Sequence, residues 1–274
     1  MKSIGYDVFG NLAVLKFDYN IKSKDKKKFA LDFLKKHKSI SGVFEKTEKF
    51  KGRLRTMKVK HLAGEKTKEV LYKENSCVFR FNIDSCYFSP RLSTERKEIA
   101  KKVKKDEKVL VLFGGVAPFA TVIGKLSKAK KIVSVELGRE CSKYAKINVK
   151  RNKLDNVEII QGDVRKLQLL GKVLGIKRRN KLEKINNIGK FDRIIMARPN
   201  LKDSFLDVTF PLIKKGGIIH YYGFYQEDKI EELKKLIISE AKKIKKKIKI
   251  LKIKKAGDIG VRKFRYRLDL KILN

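Results

Sequence analysis

Beyond Arg91 the chain alternates between strand-like and helical stretches, and this alternation constrains its fold more than any other feature. Lys97–Val103 is helical; Val109–Phe113, Phe119–Leu126, Ile132–Val135, Glu140–Val149 and Val157–Ile160 follow as strand, helix, strand, helix and strand. Arg193–Met196, Phe205–Ile213 and Ile218–Tyr222 continue the rhythm, and a long helix is predicted from Lys229 to about Lys245. Such a chain buries both faces of a mostly parallel sheet under its helices. The C-terminus breaks the pattern. Ile248, Ile250 and Ile253 stand among lysines, and Phe264, Tyr266, Leu268, Leu270 and Ile272 alternate strictly, which predicts strands. Joined near Gly257-Asp258-Ile259-Gly260, they form a terminal hairpin. The fold class is therefore α/β: a doubly wound sheet that ends in an antiparallel hairpin, unlike the all-parallel dinucleotide-binding arrangement.

The first eighty-odd residues have a different texture. Apolar residues alternate from Tyr6 to Phe17 around Gly10-Asn11, predicting a hairpin, and Phe29, Leu31, Phe33 and Leu34 lie near helical spacing within Lys24–Lys36. Strand-like stretches follow at Gly42–Phe44, Leu54–Lys60 and Val70–Ile83. Two domains are expected: a small α+β module over 1–84 and the α/β domain over 85–274. Gln168–Lys190, rich in Lys, Arg and Asn, reads as a surface insertion.

Lys and Arg total 70 against 30 Asp and Glu, a formal charge of +40. A lysine-heavy composition accounts for some of this, but such bias ordinarily raises Glu as well, and here it has not. Phosphates are the natural counter-charge, so nucleic acid is the expected partner. Cys77, Cys86 and Cys141 are too scattered for a disulfide scaffold, and His37, His61 and His220 too dispersed for a metal site. With no apolar run long enough for a signal peptide or a membrane span, a cytoplasmic, reduced, monomeric protein without membrane or metal is expected.

Val109-Leu110-Val111-Leu112-Phe113 leads into Gly114-Gly115-Val116-Ala117-Pro118-Phe119. A strand turning through glycines into a helix lies where ligands bind such sheets, and the missing Cβ lets backbone approach a ligand closely. The loop lacks both the third glycine of a dinucleotide fingerprint and the Lys-Ser/Thr pair of a triphosphate loop. Glu136 ends the next strand, about 20 residues on, where a ribose diol binds. Asp163 follows the third strand and is placed to accept from an adenine amino group. Either acid could instead cap the helix after it. Together the three features favour an adenosine-containing ligand without phosphate, and so S-adenosylmethionine.

The string Tyr87-Phe88-Ser89-Pro90-Arg91-Leu92-Ser93-Thr94-Glu95-Arg96, the glycine loop and Gly217-Ile218-Ile219-His220-Tyr221-Tyr222 resemble the archaeal and eukaryotic tRNA guanine-37 N1-methyltransferases and their wybutosine-pathway relatives. Gly52-Arg53-Leu54-Arg55-Thr56 and Leu62-Ala63-Gly64-Glu65 match as well, so the resemblance runs from near residue 4 to the end. It implies a class I methyltransferase-like α/β domain, S-adenosylmethionine as cofactor and tRNA as substrate. It further implies Glu95 as the general base for guanine N1 and Arg55 as the group stabilising charge on O6. Tyr87 and Arg91 would serve cofactor and target base. Arg198, Pro199 and Asn200 would face the substrate, and Phe113, Gly115, Val116, Pro118, Glu136, Leu137, Asp163 and Val164 would form the cofactor site.

Three positions depart from the family pattern. Val111 stands where the first strand usually ends in an acid, and Ala117 where the loop usually has glycine. Met196-Ala197-Arg198-Pro199-Asn200 replaces an Asn-Leu-Pro or Asn-Pro-Pro-like motif, so Ala197 lacks the usual amide. That motif separates enzymes acting on guanine from relatives acting on the tricyclic wyosine intermediate, by methylation or aminocarboxypropyl transfer. Both substrates stay open at this point, as does a noncatalytic RNA-binding role.

Overall fold

The computed structural model describes residues 4–18, 20–48, 56–167, 190–198 and 203–274. The chain opens with β1 (Gly5–Phe9) and β2 (Leu12–Lys16), the predicted hairpin, then α1 (Ser23–Lys36), β3 (Gly42–Lys46) and β4 (Val59–Gly64). These strands form a sheet in the order β1-β2-β3-β4, with β2 and β3 parallel and α1 as their crossover. Ala30 and Phe33 on the inner side of α1 close a core with Leu15, Val43 and Ala63. Most of the Leu54–Lys60 expectation is displaced: β4 begins at Val59, and residues 54 and 55 lie outside the described residues.

Val70–Ile83 is a tight hairpin, β5 (Glu69–Glu74) and β6 (Cys77–Asn82), folded back at Asn75 and Ser76. Both turn residues have positive φ, 48° and 58°, the backbone that a two-residue hairpin turn needs to match strand twist. The other edge of β6 is satisfied by side chains. Asn152 and Asn148, four apart on one face of α4 (Arg139–Arg151) and its C-cap, accept from the amides of Val78 and Arg80 at 2.8 and 2.7 Å. The hairpin therefore packs on the α/β part of the chain, and one apolar cluster runs from Phe9 and Phe44 through Phe79 and Phe81 to Val109 and Ile132.

The large sheet has the order β12-β13-β11-β10-β7-β8-β9. Its parallel members are β7 (Lys108–Leu112), β8 (Lys131–Glu136), β9 (Val157–Gln161), β10 (Phe191–Met196) and β11 (Ile213–Gln226). The terminal hairpin, β12 (Ile248–Gly260) and β13 (Lys263–Ile272), adds antiparallel strands. Helices α2 (Ser93–Lys102), α3 (Pro118–Leu126) and α4 cover one face, and α5 (Ile230–Lys243) covers the other through Leu233, Ile237 and Ala241. Phe205–Ile213 is a short helical turn that passes straight into β11. Among the described residues no helix is long and apolar enough to cross a membrane.

The hairpin turn does not fall at Gly257–Gly260. It lies at Val261-Arg262, with Arg262 at φ 50°, and the glycines sit inside β12 where the register shifts twice. Gly257, at φ 148°, supplies the backbone freedom of a bulge.

β13 is covered on both sides. Its even residues enter the apolar layer under α5, and its odd residues Arg265, Arg267 and Asp269 lie opposite Phe224, Tyr222 and His220 of β11. Helix α2 lays Glu95, Glu98 and Lys102, spaced as one helical face, across this stripe. Arg267, fully buried, donates to Glu95 at 2.5 Å and Glu98 at 2.7 Å and contacts Asp269 at 2.9 Å.

Partial burial works to raise the Glu98 carboxyl, but Arg267 and Lys254 outweigh it and hold it at about 2, against an ordinary 4.5. A depressed carboxyl stabilises the fold fully above its unfolded value and loses that contribution as pH falls toward the folded one. Glu98→Gln should therefore flatten the loss of melting temperature between about pH 4.5 and 2. Circular dichroism melts across that range check it; an unchanged slope would show the ion pair contributes nothing.

Candidate active site

The glycine turn is built by close approach. Phe113 and Gly115 have φ of 60° and 58°, and Ala117 follows at 65°, so the chain leaves β7 through left-handed residues before Pro118 starts α3. A Cβ on Gly114 would lie 2.1 Å from Ser134 Oγ, and one on Gly115 3.7 Å from the Tyr87 carbonyl. The loop is thus pinned between β8 and the Tyr87 segment. Val116 and Ala117 are fully buried, and the Val116 carbonyl accepts from Asn148 at 3.0 Å. Val111, where the family pattern has an acid, is an apolar core residue.

Glu136 ends β8 beside this turn. Its two oxygens accept from the amides of Gly115 at 2.8 Å and Gly138 at 2.6 Å. Burial raises its carboxyl above the ordinary range despite those amides. A carboxylate has about four acceptor positions, so capacity for a ligand diol remains. Leu137, half-buried, and the buried Val164 flank the same ends of β8 and β9. Asp163 accepts from the Arg165 amide at 2.9 Å and caps the turn that follows, the structural role open to it from sequence. Glycine turn, Glu136 and Asp163 stand at the C-terminal ends of three adjacent strands, where ligands bind such sheets. These residues fit an adenosine-bearing ligand: a turn that its glycines let close against β8, and a carboxylate with acceptor capacity left beside it.

A cleft of about 490 Å³ lies between the N-terminal module, the Tyr87–Leu92 segment and the tip of the terminal hairpin. Asp7, Lys16, Met57, Tyr87, Arg91 and Arg265 are among its walls. Arg91, largely exposed, donates to Asp7 at 2.6 Å and ties the module to the junction. Burial would raise the Asp7 carboxyl, but Lys16 and Arg91 hold it below the ordinary value. Arg96 braces the junction from beneath: it forms a buried two-pronged pair with Glu74, donates to the Ser89 carbonyl at 3.0 Å and lies 5.0 Å over Phe88.

The remaining predicted residues fall in different places. Glu95 is buried at the start of α2, and its carboxylate accepts from Tyr222 at 2.7 Å, Arg267 at 2.5 Å and Lys254 at 3.3 Å. Arg198 is turned inward, donating to the Asp203 carbonyl at 2.5 Å with its guanidinium 5.4 Å from the Tyr221 ring. The structure does not bring it to the cleft. Arg55, Pro199 and Asn200 lie outside the described residues, as does most of the 168–190 insertion. Sequence reasoning missed Arg265, Arg267, Asp269 and Lys254. The available signal was that five charges, Lys263, Arg265, Arg267, Asp269 and Lys271, occupy every second position of β13.

The TRM5/TYW2 methyltransferase domain matches residues 70–251. The chain belongs to this family. It is 36% identical over 98% of its length, and over the whole of the relative, to the tRNA (guanine(37)-N(1))/4-demethylwyosine(37)-methyltransferase Taw22 of Nanoarchaeum equitans. Trm5b from Pyrococcus abyssi superposes with a TM-score of 0.83 at 30% identity, covering 98% of this chain and 75% of that one. Trm5 from Methanocaldococcus jannaschii, solved with adenosine, gives 0.77 at 28% identity, over 98% and 72%. The family's fold, with its methyltransferase domain, is the one read from the strand–helix alternation.

The fit between Gly114 and Ser134 yields a two-step prediction. Gly114→Ala should weaken S-adenosylmethionine binding by about tenfold, or ~1.4 kcal/mol, because the turn must shift to admit a methyl group. Adding Ser134→Ala removes the overlapping Oγ and should recover most of that loss. Calorimetric titration of both variants checks this; a double variant no better than the single one would place the fault elsewhere.

Proposed function

We propose that the chain transfers a methyl group from S-adenosylmethionine to N1 of the guanosine 3′ of the anticodon in tRNA. The observation that carries the reading is the place of Tyr87 between the glycine turn and the cleft. A Cβ on Gly115, in the turn where the adenosine part of the cofactor fits, would lie 3.7 Å from the Tyr87 carbonyl, and Tyr87 also lines the cationic cleft, where its hydroxyl meets Arg265 at 3.5 Å. A base leaving its stack would enter that cleft with N1 turned toward the cofactor, and alignment of the methyl group with N1 would supply much of the rate. When bound, S-adenosylmethionine supplies an electrophilic methyl group on sulfur.

N1 of guanine carries a proton, so transfer needs an acceptor for it. Glu95 is our candidate. Its Oε1 is taken by Tyr222 and Arg267, whereas Oε2 has Lys254 alone, at 3.3 Å, among the described residues. Oε2 is therefore the atom to which the proton would pass. Arg55 is proposed to stabilise the developing charge on O6, and Met57, two residues along, lines the cleft.

A second substrate is favoured by one specific observation: the relative matched end to end carries a name that joins guanine-37 and 4-demethylwyosine methylation. Ala197, at the end of β10, is half-buried against the core and presents only a methyl group where the family pattern has an amide. We propose that the tricyclic base is accepted as well.

Methyl transfer from labelled cofactor to tRNA bearing guanosine, adenosine or 4-demethylwyosine at that position tests both readings. Guanosine should be methylated and adenosine not; the tricyclic base should be methylated if the second reading holds. Absence of transfer to guanosine in the presence of bound cofactor would sink the first. Glu95→Gln should slow transfer by about a hundredfold or more and leave cofactor affinity nearly unchanged. An unchanged rate, or loss of folding, would assign Glu95 to the ionic stripe alone.

A further inference from the structure

Arg265 is one of the buried arginines among the described residues, and its company differs from that of three others. Arg96 is matched with Glu74, Arg193 with Glu107, and Arg267 with Glu95, Glu98 and Asp269. Arg265 is only 9% exposed, yet among the described residues it forms no ion pair. Its contacts are a hydrogen bond to the Tyr87 hydroxyl at 3.5 Å, the limit of such a bond, and the Phe224 ring with the guanidinium 5.1 Å from its centroid. Gly257, its partner on β12, has no side chain to crowd it; a Cβ there would lie 4.0 Å from Arg265 Nη1. The guanidinium lines the cleft. Burying a cation without a counter-charge is costly, and a fold that holds one on an aromatic face, toward a cavity, is prepared for an anion from outside.

We infer that Arg265 binds a phosphodiester of the RNA strand beside the nucleotide whose base enters the cleft. A guanidinium offers two parallel donors to phosphate oxygens. Phosphate contacts set register without reading sequence, and a nucleotide drawn out of its stack needs its backbone fixed on the flank. The cofactor's carboxylate is the other anion at hand. The cleft walls favour RNA: beside Arg265 they carry Lys16, Lys46 and Arg91 against two carboxylates, Asp7 and Asp258, a cationic balance, and the glycine turn and Glu136 do not contribute to them. The inference rests on tRNA being the substrate.

The test uses the full chain with Arg265→Gln and Arg265→Lys, measuring tRNA binding by filter retention across a salt series and cofactor binding by calorimetry. Arg265→Gln should weaken tRNA binding about tenfold at low salt and lower the slope of log affinity against log salt by about one. Cofactor affinity should stay within roughly a factor of two. Arg265→Lys keeps the charge, so its slope should match the unaltered protein while affinity falls about threefold for want of the second donor. This variant keeps the question open to decision if Arg265→Gln does not fold, since unchanged affinity in Arg265→Lys would overturn two-pronged binding. Unchanged tRNA affinity and slope in Arg265→Gln would reduce Arg265 to a packing residue. Weakened cofactor binding with intact tRNA binding would transfer it to the cofactor carboxylate. An unaltered protein that does not retain tRNA would overturn the substrate reading itself, before any variant is compared.

Discussion

Arg267 holds together two parts of the chain that are 172 residues apart in sequence. From the middle of β13 it reaches Glu95 and Glu98 on α2, and the same stripe continues through Asp269 to His220, Arg193 and Glu107. Burial, opposed by Asp269, leaves the His220 imidazole below its ordinary range, so its part in the stripe is as a neutral hydrogen-bonding bridge between Asp269 and Arg193. Removing one member of a buried ionic group leaves the others uncompensated, at a cost of about 3–5 kcal/mol. Such a group is poor as a source of net stability and good at fixing register. A one-residue slip of β13 would bring Leu268 or Tyr266 beneath α2 and put Arg267 into the apolar layer under α5.

Register is what the site requires. Helix α2 begins directly after the Tyr87–Leu92 segment, so locking α2 onto β13 sets the position of that segment against the glycine turn. Arg96 on the helix's other side, with Glu74 and the Ser89 carbonyl, holds the segment from below. The same strand that carries Arg267 places Arg265, two residues earlier, at the cleft. Glycine turn, cleft and candidate base are therefore positioned by one helix–hairpin contact, and the N-terminal module joins them through Asp7 and Arg91.

The parts of this arrangement that were legible in the sequence are those with a local signature. Strand–helix alternation, the two-glycine turn and Glu136 about 20 residues later depend on neighbours in sequence, and the structure places them together. The terminal hairpin was legible as alternation, but only half of its meaning was. Apolar residues at 264, 266, 268, 270 and 272 indicate one buried face, and the charges between them read as a solvated one. They are buried because α2, encoded far upstream, brings carboxylates to meet them, and no local pattern announces such a partner. The glycines at 257 and 260 mislead for a related reason: a bulge and a turn both call for positive φ or absent Cβ, and only strand pairing tells them apart. Asn148 and Asn152 look like helix-surface residues until the exposed edge of β6 is laid against them.

The charge of the chain acquires a different sense in this light. With 30 acids against 70 bases, Glu74, Glu95, Glu98, Glu107 and Asp269 are spent inside or at the edge of the core, each against an arginine or histidine. Five of the 30 acids thus meet buried cations or a histidine, while the excess of 40 bases is a property of the chain as a whole. Elsewhere on the surface a polyanion would meet diffuse, salt-sensitive attraction. In the cleft it would meet a buried guanidinium held by Phe224 and Tyr87, with no carboxylate partner among the described residues, where attraction becomes position. A long-range field and one prepared contact do different work: the first gathers RNA to the protein, and the second fixes which part of the strand stands beside the cofactor.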